Sequence, residues 1–249
     1  MAIKQSYFQV WVSGNLKEDN KVPIYVEKIF NHNRIVAESR CNEYNVDFGY
    51  RMLTNPDVRE LFAELFEEDF DLFNELYPLY IKLESIAQRA DIVRVLYLYL
   101  HGGIYIDSDI ILLDHLWGNE FNRTDIFCGF ERVEKESHQH ATHNIREGYC
   151  VSNAVIGAIP KHEVFKIYLS RICNEPNINR VSYFKLFEEI LSTYGDFQKD
   201  SHDIYFDENE KIIIFSNSTF YLHDYHNDIH TVFKPSNNTK CLHIYWKEK

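Results

Sequence analysis

The stretch from Leu100 to Asp114, LHGGIYIDSDIILLD, limits most strongly how this chain can fold. An apolar segment of helical character ends at two glycines, a short apolar strand follows, and then come two aspartates, Asp107 and Asp109. Glycine directly after a helix is typical of a left-handed C-terminal turn. The pattern therefore predicts a buried strand with two carboxylates at its far end.

The spacing of these carboxylates indicates what they can bind. Alternate residues of a strand share a face, so Tyr105, Asp107 and Asp109 are expected to point to the same side. Two carboxylates at a strand end can hold one hard divalent cation through oxygen ligands. Ligands of open α/β sheets bind beyond the carboxyl ends of the strands. The stretch thus predicts a metal site suited to a phosphate-bearing ligand.

A D-x-D triplet alone is a weak signal. The chain has 16 aspartates, so chance supplies about one such triplet in a sequence of this length. A second triplet, Asp69 to Asp71, lies in the acidic run EEDFD and is interpreted as a solvated helix face. The triplet at Asp107 differs because glycines and an apolar strand come before it.

A helix predicted over about Leu83 to Leu100 adds two charged residues to the pattern. Its second half is apolar almost all round, which indicates burial. Asp91 and Arg94 are three residues apart and share one face of this helix. Charges in a buried helix are costly unless they are paired or bind a ligand. Two interpretations are open: Asp91 and Arg94 form a structural ion pair, or both face a charged and hydroxyl-rich ligand.

Strand-like and helix-like segments alternate along the chain, which predicts an α/β fold with a Rossmann-like, mostly parallel open sheet flanked by helices. No internal repeat and no Pro/Gly/Ser-rich linker divides the 249 residues, so a single domain is expected. Predicted strands cover residues 7–12, 44–53, 104–114, 125–131, 149–160, 211–215 and 242–245, with a short one near 204. Predicted helices cover residues 24–33, 56–77, 83–100, 161–173 and 182–193.

Composition excludes several classes of function. The net charge of −12 argues against non-specific binding of nucleic acid. An anionic ligand would need a metal ion or well-placed arginines against this background. The five scattered cysteines form no CxxC pair, so neither a disulfide framework nor a zinc site is expected. No signal peptide and no apolar run of about 18–20 residues is seen, which predicts a cytoplasmic protein without a transmembrane segment.

The segment RADIVRVLYLYLHGGIYIDSDIILLD closely resembles the signature of DXD-motif sugar-binding glycosyltransferases. That family includes α-mannosyltransferases, bacterial capsule and lipopolysaccharide sugar transferases and, more distantly, the large clostridial glucosylating toxins. Its pattern is roughly (S/A)-D-x-x-R, an apolar helix, Gly-Gly, an aromatic residue and D-x-D. The matching residues are Ala90, Asp91, Arg94, Gly102, Gly103, Tyr105, Asp107 and Asp109.

Weaker similarities extend along the chain. FQVWVSGN resembles the first strand of the family, where a tryptophan stacks on the nucleotide base, a role that falls to Trp11. GYCVSNAVIGAIPKHEVF resembles the segment after the DXD strand and puts Asn153 near the sugar. CLHIYWKEK resembles a shortened C-terminal His/Trp element, which implies His243 as a metal ligand and Trp246 as a substrate contact. The usual Ser-Trp after this element is missing, so the third metal ligand stays open.

The resemblance implies a GT-A fold over residues 1–249, with a nucleotide-binding half at about 1–115 and an acceptor-side half at about 116–249. It implies a UDP- or GDP-sugar donor, a Mn²⁺ or Mg²⁺ ion on the D-x-D carboxylates, and a glycan or other hydroxyl acceptor. It also implies retention of the anomeric configuration. The implied catalytic residues are Asp107, Asp109 and Arg94, and the implied substrate-binding residues include Asp91, Arg94, Gly103 and Tyr105.

Three other classes of protein were weighed. A phosphatase of the haloacid dehalogenase type also carries D-x-D after an apolar strand, but it normally has Thr or Val where this chain has Ile111. A nucleotidyltransferase of related fold uses almost the same metal chemistry, and activity on a nucleotide sugar would separate it. A non-catalytic sugar-binding module would not need the whole set of Asp91, Arg94, Asp107 and Asp109.

Overall fold

The computed structural model describes residues 3–43, 46–116, 121, 124–133, 148–175, 183–195, 204–206, 211–220 and 239–243. The helices in these ranges are α1 (Ile24–Glu43), α2 (Asn55–Glu68), α3 (Phe70–Lys82), α4 (Ile86–His101), α5 (Glu163–Cys173), α6 (Tyr183–Leu191) and α7 (Asn217–Phe220). The strands are β1 (Ser6–Val10), β2 (Gly49–Leu53), β3 (Gly103–Ile106), β4 (Ile110–Leu112), β5 (Ile126–Val133), β6 (Gly148–Ala158), β7 (Ile204–Phe206), β8 (Ile212–Phe215) and β9 (Cys241–His243).

Seven of these strands form one sheet in the order β2-β1-β3-β6-β5-β8-β7. β1 is parallel to β2 and β3, and β5 is parallel to β8. β6 is antiparallel to both of its neighbours, and β7 is antiparallel to β8. Five of the seven strands therefore point the same way, which confirms the predicted mostly parallel α/β sheet. β4 and β9 form a separate antiparallel pair.

Apolar side chains cover both faces of the large sheet. Successive residues of β3 point to opposite faces, so Tyr105 packs into one apolar cluster while Ile104 and Ile106 pack into the other. The first cluster contains the buried faces of α2 to α6. The second contains residues of α1, the β4–β9 pair and α7. The sheet is thus flanked by helices on both sides, as the alternating sequence pattern predicts.

The glycine pair turns the chain from α4 into β3. Gly102 and Gly103 have φ angles of 66° and 104°, a conformation that favours glycine. The N–H of Gly102 donates to the carbonyl of Leu98 (2.9 Å) and ends the helix. A Cβ atom on Gly103 would overlap the carbonyl oxygen of Ser6 in β1. Glycine is therefore required both for the predicted turn and for the close contact of β3 with β1.

The helix predicted over 56–77 is two helices, separated at Asp69. The Asp69 carboxylate accepts a hydrogen bond from the N–H of Leu72 (3.2 Å) and caps α3. It also lies 2.8 Å from the Nζ atom of Lys166. The acidic triplet, for which the sequence pattern indicates a solvated helix face, is therefore partly structural. Of its two aspartates, Asp69 is half-buried and Asp71 is exposed.

Two other boundaries differ from the sequence prediction. The helix after Pro23 continues to Glu43, and Ala37 and Cys41 in its additional turns are buried. Earlier in the helix, the amide of Asn33 bonds the backbone of Ile110 and Leu112 (both 2.8 Å). Of the strand predicted over 44–53, the described residues 46–53 contain β2 (Gly49–Leu53), which pairs with β1.

No helix in the described part of the chain is both long and apolar enough to cross a bilayer. The five cysteines all lie in described ranges and form no disulfide with one another. The large sheet takes strands from both predicted halves of the chain. The division at about residue 115 and the cellular compartment stay predictions.

Candidate active site

The candidate site lies at one edge of the large sheet, beyond the ends of β1 and β3. Because these strands are parallel, their C-terminal ends meet at the same edge. Trp11 follows β1 and Asp107 follows β3. The side-chain amide of Gln9 donates to the backbone carbonyl of Asp107 (3.0 Å), and the N–H of Asp107 donates to the carbonyl of Ala154 in β6 (2.8 Å). The first D-x-D residue is thus fixed from both sides.

The D-x-D triplet forms the turn that links β3 to β4. The N–H of Ile110 donates to the carbonyl of Asp107 (3.1 Å) and closes this turn. The Tyr105 hydroxyl donates to the Asp107 carboxylate, so these two side chains share a face as predicted. Asp109 is held by the turn instead of continuing the strand, which corrects the expectation that all three lie on one strand face.

Asp107, Asp109 and His243 come together as one group. Each offers a ligand atom, and the three atoms lie within 4.8 Å of one another. His243 comes from β9, where it pairs with Ile110 of β4, so the small sheet carries it to the D-x-D turn. The Nε2 atom of His243 lies 3.2 Å from Oδ1 of Asp109. Carboxylate oxygens and imidazole nitrogens are both common metal ligands, so the chemistry of this group fits a divalent ion.

Arg94 of α4 lies against the first D-x-D carboxylate. Its Nη1 atom is 3.1 Å from Oδ1 of Asp107 and donates to the carbonyl of Asn153 (2.7 Å). Its guanidinium also lies over the Tyr105 ring, 4.4 Å from the centroid. The side chain is only 7% exposed. The arginine that the sequence assigns to the site is therefore buried beneath the carboxylate, with its charge directed at Asp107.

The ion pair that was one interpretation of Asp91 and Arg94 is present. Oδ1 of Asp91 lies 3.0 Å from Nη2 of Arg94 and accepts a hydrogen bond from the side-chain amide of Asn153 (2.9 Å). The Asp91 side chain is 16% exposed, twice as much as Arg94. The structure brings both residues and Asn153 beside Asp107, so the ion pair is part of the candidate site itself.

Burial and charge act on the carboxylates of this site in opposite directions. Burial raises the pKa of Asp107, the Arg94 guanidinium opposes that rise, and the Asp109 carboxylate adds to it. Burial also raises the pKa of Asp91, against the lowering effect of Arg94. Concentrated carboxylates with raised pKa values are typical of functional sites, and a bound cation would favour their ionised form.

Sequence reasoning missed Glu131 of β5, which lies on the far side of the imidazole. Its Oε1 atom is 3.2 Å from Nδ1 of His243, and its Oε2 atom accepts a hydrogen bond from the Ser152 hydroxyl (2.8 Å). Burial lowers the pKa of His243, but hydrogen bonds to Asp109 and Glu131 outweigh this effect and raise it to about 10. Glu131 ends the predicted strand 125–131, and a carboxylate at the end of a strand was the available signal.

Trp11 is half-buried at the start of a loop that leaves β1. The backbone N–H of Trp11 donates to the carbonyl of Leu53 at the end of β2 (2.8 Å). The buried amide of Asn55 accepts from the N–H of Ser13 (3.1 Å) and donates to the carbonyl of Asn15 (2.8 Å). The loop is therefore tied to the start of α2, and the tryptophan is carried at the same sheet edge as the D-x-D turn.

Two predicted substrate contacts lie in the interior. Gly103 is buried against β1, and Tyr105 is 1% exposed and reaches the site through Asp107 and Arg94. Their contact with substrate stays a prediction. Trp246, the other predicted substrate contact, lies outside the described residues.

The fold and this group of side chains define a class of protein. A GT-A-type sheet with acidic D-x-D residues at the carboxyl ends of its strands is the arrangement expected of a DXD-motif glycosyltransferase. Residues 25–127 match the family model described as "Glycosyltransferase sugar-binding region containing DXD motif". The matched range contains Asp91, Arg94, Asp107 and Asp109. The family model therefore confirms the glycosyltransferase-like signature over this range of the chain.

Two curated relatives carry the names of glycosyltransferases. An uncharacterized glycosyltransferase of Acanthamoeba polyphaga mimivirus is 26% identical over 190 residues, which cover 75% of this chain and 63% of that protein. Inositol phosphoceramide mannosyltransferase 3 of Schizosaccharomyces pombe is 34% identical over 74 residues, which cover 30% of this chain and 19% of that protein. The chain therefore spans less than two thirds of the length of each relative.

A solved structure shares the fold. The structure described as "PaToxG Glycosyltransferase" superposes with a TM-score of 0.51 at 14% sequence identity. The superposition covers 77% of this chain and 70% of that one. This likeness confirms the expected GT-A-type fold.

Proposed function

We propose that the protein is a metal-dependent glycosyltransferase that moves a sugar from a UDP- or GDP-sugar to a hydroxyl group of a glycan or another acceptor, with retention of the anomeric configuration. The observation that carries this proposal is the meeting of Asp107, Asp109 and His243 beside Arg94. The family match covers three of these four residues.

Asp107, Asp109 and His243 would hold the Mn²⁺ or Mg²⁺ ion. When bound, such an ion supplies a Lewis acid that neutralises negative charge on the diphosphate of the donor. The protein's own contribution is to orient the carboxylates and, at Asp107, to oppose the effect of burial on ionisation. Arg94 does this for Asp107 by direct contact (3.1 Å), and the Tyr105 hydroxyl does so by a hydrogen bond. Fixed groups of this kind need no rearrangement during the reaction.

Asp91 and Asn153 are assigned to the sugar. The Asn153 amide and Arg94 hold one oxygen of the Asp91 carboxylate, and the carboxylate is partly exposed (16%). A carboxylate held in this way can accept hydrogen bonds from sugar hydroxyl groups. Trp11 at the same sheet edge is assigned to the nucleotide base, which an aromatic ring can stack on.

The transfer step itself needs one bond to form and one to break. The acceptor oxygen bonds to the anomeric carbon while the bond from that carbon to the donor phosphate oxygen breaks. The proton of the acceptor hydroxyl passes to the departing phosphate, which leaves as the nucleoside diphosphate. No side chain is assigned as a covalent nucleophile, and attack from the face of the departing phosphate accounts for retention.

A donor screen tests the proposal. The purified protein is incubated with a panel of UDP- and GDP-sugars, with Mn²⁺ or with EDTA, and released nucleoside diphosphate is measured. We expect hydrolysis of one donor, dependent on Mn²⁺ and abolished by EDTA. Turnover of a nucleoside triphosphate instead would indicate a nucleotidyltransferase. Tight sugar binding without release of nucleoside diphosphate would indicate a sugar-binding module.

A further inference from the structure

Three side chains from separate strands form a continuous row that ends at the candidate metal group. The Ser152 hydroxyl of β6 donates to Oε2 of Glu131 in β5 (2.8 Å), and Oε1 of Glu131 lies 3.2 Å from Nδ1 of His243 in β9. The other ring nitrogen, Nε2, faces Asp109 (3.2 Å). The imidazole is therefore held between two carboxylates, one on each nitrogen.

The chemistry of this contact decides which nitrogen is available. An ionised carboxylate only accepts hydrogen bonds, so the Nδ1 atom that faces Glu131 carries a hydrogen. A metal ligand must present a lone pair, so a bound ion would take the place of the hydrogen on Nε2 that faces Asp109, while Nδ1 keeps its own. Nε2 is the nitrogen that lies with Asp107 and Asp109.

The row is buried, which makes its geometry rigid. The side chains of His243 and Glu131 are 8% and 16% exposed, and Ser152 is 3% exposed. His243 belongs to the small sheet, whereas Glu131 and Ser152 belong to the large one. The row thus fixes the ring across the junction of two sheets, where strand pairing alone does not orient it.

We propose that Glu131 is a positioning residue: it orients His243 and fixes its tautomer so that Nε2 binds the divalent ion, and Ser152 holds Glu131 in place. The inference rests on the proposed metal-dependent function. A carboxylate behind a ligating histidine is a recognised device for raising metal affinity, and its loss typically weakens binding by about 10–100-fold.

Titration of the nucleotide-free protein with Mn²⁺, followed by calorimetry, tests this role without relying on activity. Glu131→Ala is expected to weaken Mn²⁺ binding by about 10–100-fold. Glu131→Gln keeps an oxygen that can accept from Nδ1, so it should recover part of that loss. Ser152→Ala should give a smaller loss in the same direction, because Glu131 keeps its contact with the ring.

Glu188→Gln is the matched control. Glu188 of α6 also bonds to β6, where it accepts from the N–H of Val151 (2.9 Å), but Val151 and the adjacent Phe187 belong to the first apolar cluster. The Mn²⁺ affinity of the Glu188→Gln variant should equal that of the wild type. Melting temperatures of all variants are measured with EDTA, so that only folded protein is compared.

The possible outcomes separate a positioning role from a structural tie between the sheets. A purely structural Glu131 would lower the melting temperature of Glu131→Ala while Mn²⁺ affinity changed by less than about twofold, and that result would overturn the inference. Wild-type protein that binds no Mn²⁺ would overturn it as well. Failure of the proposed transferase function looks different: the wild type would bind Mn²⁺, with the expected order of variants, and release no nucleoside diphosphate from any donor.

Discussion

Arg94 and Asp107 form a buried ion pair, 3.1 Å between Nη1 and Oδ1, that joins α4 to the end of β3. The same guanidinium lies 3.0 Å from the Asp91 carboxylate. One cation therefore supports two carboxylates. The charge balance of the site depends on this arginine together with the His243 imidazole, which lies 3.2 Å from Asp109.

Replacing Arg94 with alanine is expected to cost up to about 3–5 kcal/mol of unfolding free energy, because two partly buried carboxylates lose their cation. Arg94→Lys should recover only part of this, since an ammonium group lacks the forked donors of arginine. Urea unfolding measures both. Arg34→Ala is the control, because its ion pair with Glu38 (2.9 Å) is exposed and should contribute less than about 1 kcal/mol. Equal losses at the two sites would contradict this assignment.

The two D-x-D triplets give a matched test of the metal role. Asp109→Ala is expected to abolish transfer and donor hydrolysis while the protein stays folded, because the metal group loses an oxygen ligand. Asp71→Ala removes the corresponding carboxylate of the other triplet, which is exposed on α3, and should leave turnover unchanged. Turnover and the circular dichroism melt are measured together. Near-normal turnover by folded Asp109→Ala protein would rule out the role.

The glycine at the start of β3 should tolerate no side chain. Gly103→Ala places a Cβ atom against the carbonyl oxygen of Ser6 at a φ angle of 104°, and we expect a loss of about 2 kcal/mol or more. At Gly14 an added Cβ has open space around it, so Gly14→Ala is the control and should be close to neutral. Thermal unfolding compares them. A stable Gly103→Ala protein would show that β1 and β3 can separate at no cost.

Trp11 is expected to contribute to donor binding more than to stability. Trp11→Ala should weaken nucleotide binding by about 1–3 kcal/mol, the usual contribution of a stacked base. Phe8, fully buried in the neighbouring part of β1, is the comparison for a core aromatic residue, and Phe8→Ala should cost about 3–5 kcal/mol of stability. Calorimetric titration with UDP and GDP and thermal melts separate the effects. The stacking hypothesis would be wrong if Trp11→Ala left the nucleotide affinity unchanged and lowered stability as much as Phe8→Ala does.

The residues that sequence reasoning placed correctly are those whose positions depend on local structure. The turn at Gly102, the shared face of Asp91 and Arg94, and the strand before Asp107 all follow from backbone geometry over a few residues. Glu131 could not be predicted, because its contact with His243 depends on how the two sheets meet. The break at Asp69 was missed for a different reason: an acidic residue in a charged helix pattern gives no sign that it caps a second helix.

Asp114 offers a test of acid stability away from the carboxylates of the site. Its carboxylate joins the end of β4 to the segment before β9, with Oδ2 2.7 Å from Nζ of Lys240 and Oδ1 2.9 Å from the N–H of His115. Burial raises the pKa of Asp114, but the hydrogen bonds to Lys240 and His115 outweigh this effect and hold it well below its usual range. The folded protein therefore favours the ionised form.

A carboxyl group with a lowered pKa in the folded state stabilises the protein above its unfolded pKa of about 3.9, and this contribution is lost as the pH falls through the folded pKa. Asp114→Asn should thus be less stable than the wild type at pH 7, and the gap should close as the pH falls from about 5 to 2. Lys240→Met removes the partner cation, so its difference in unfolding free energy from the wild type should shrink over the same pH range. Urea unfolding at a series of pH values measures it. A gap of constant size down to pH 2 would mean that Asp114 acts through packing and not through its charge.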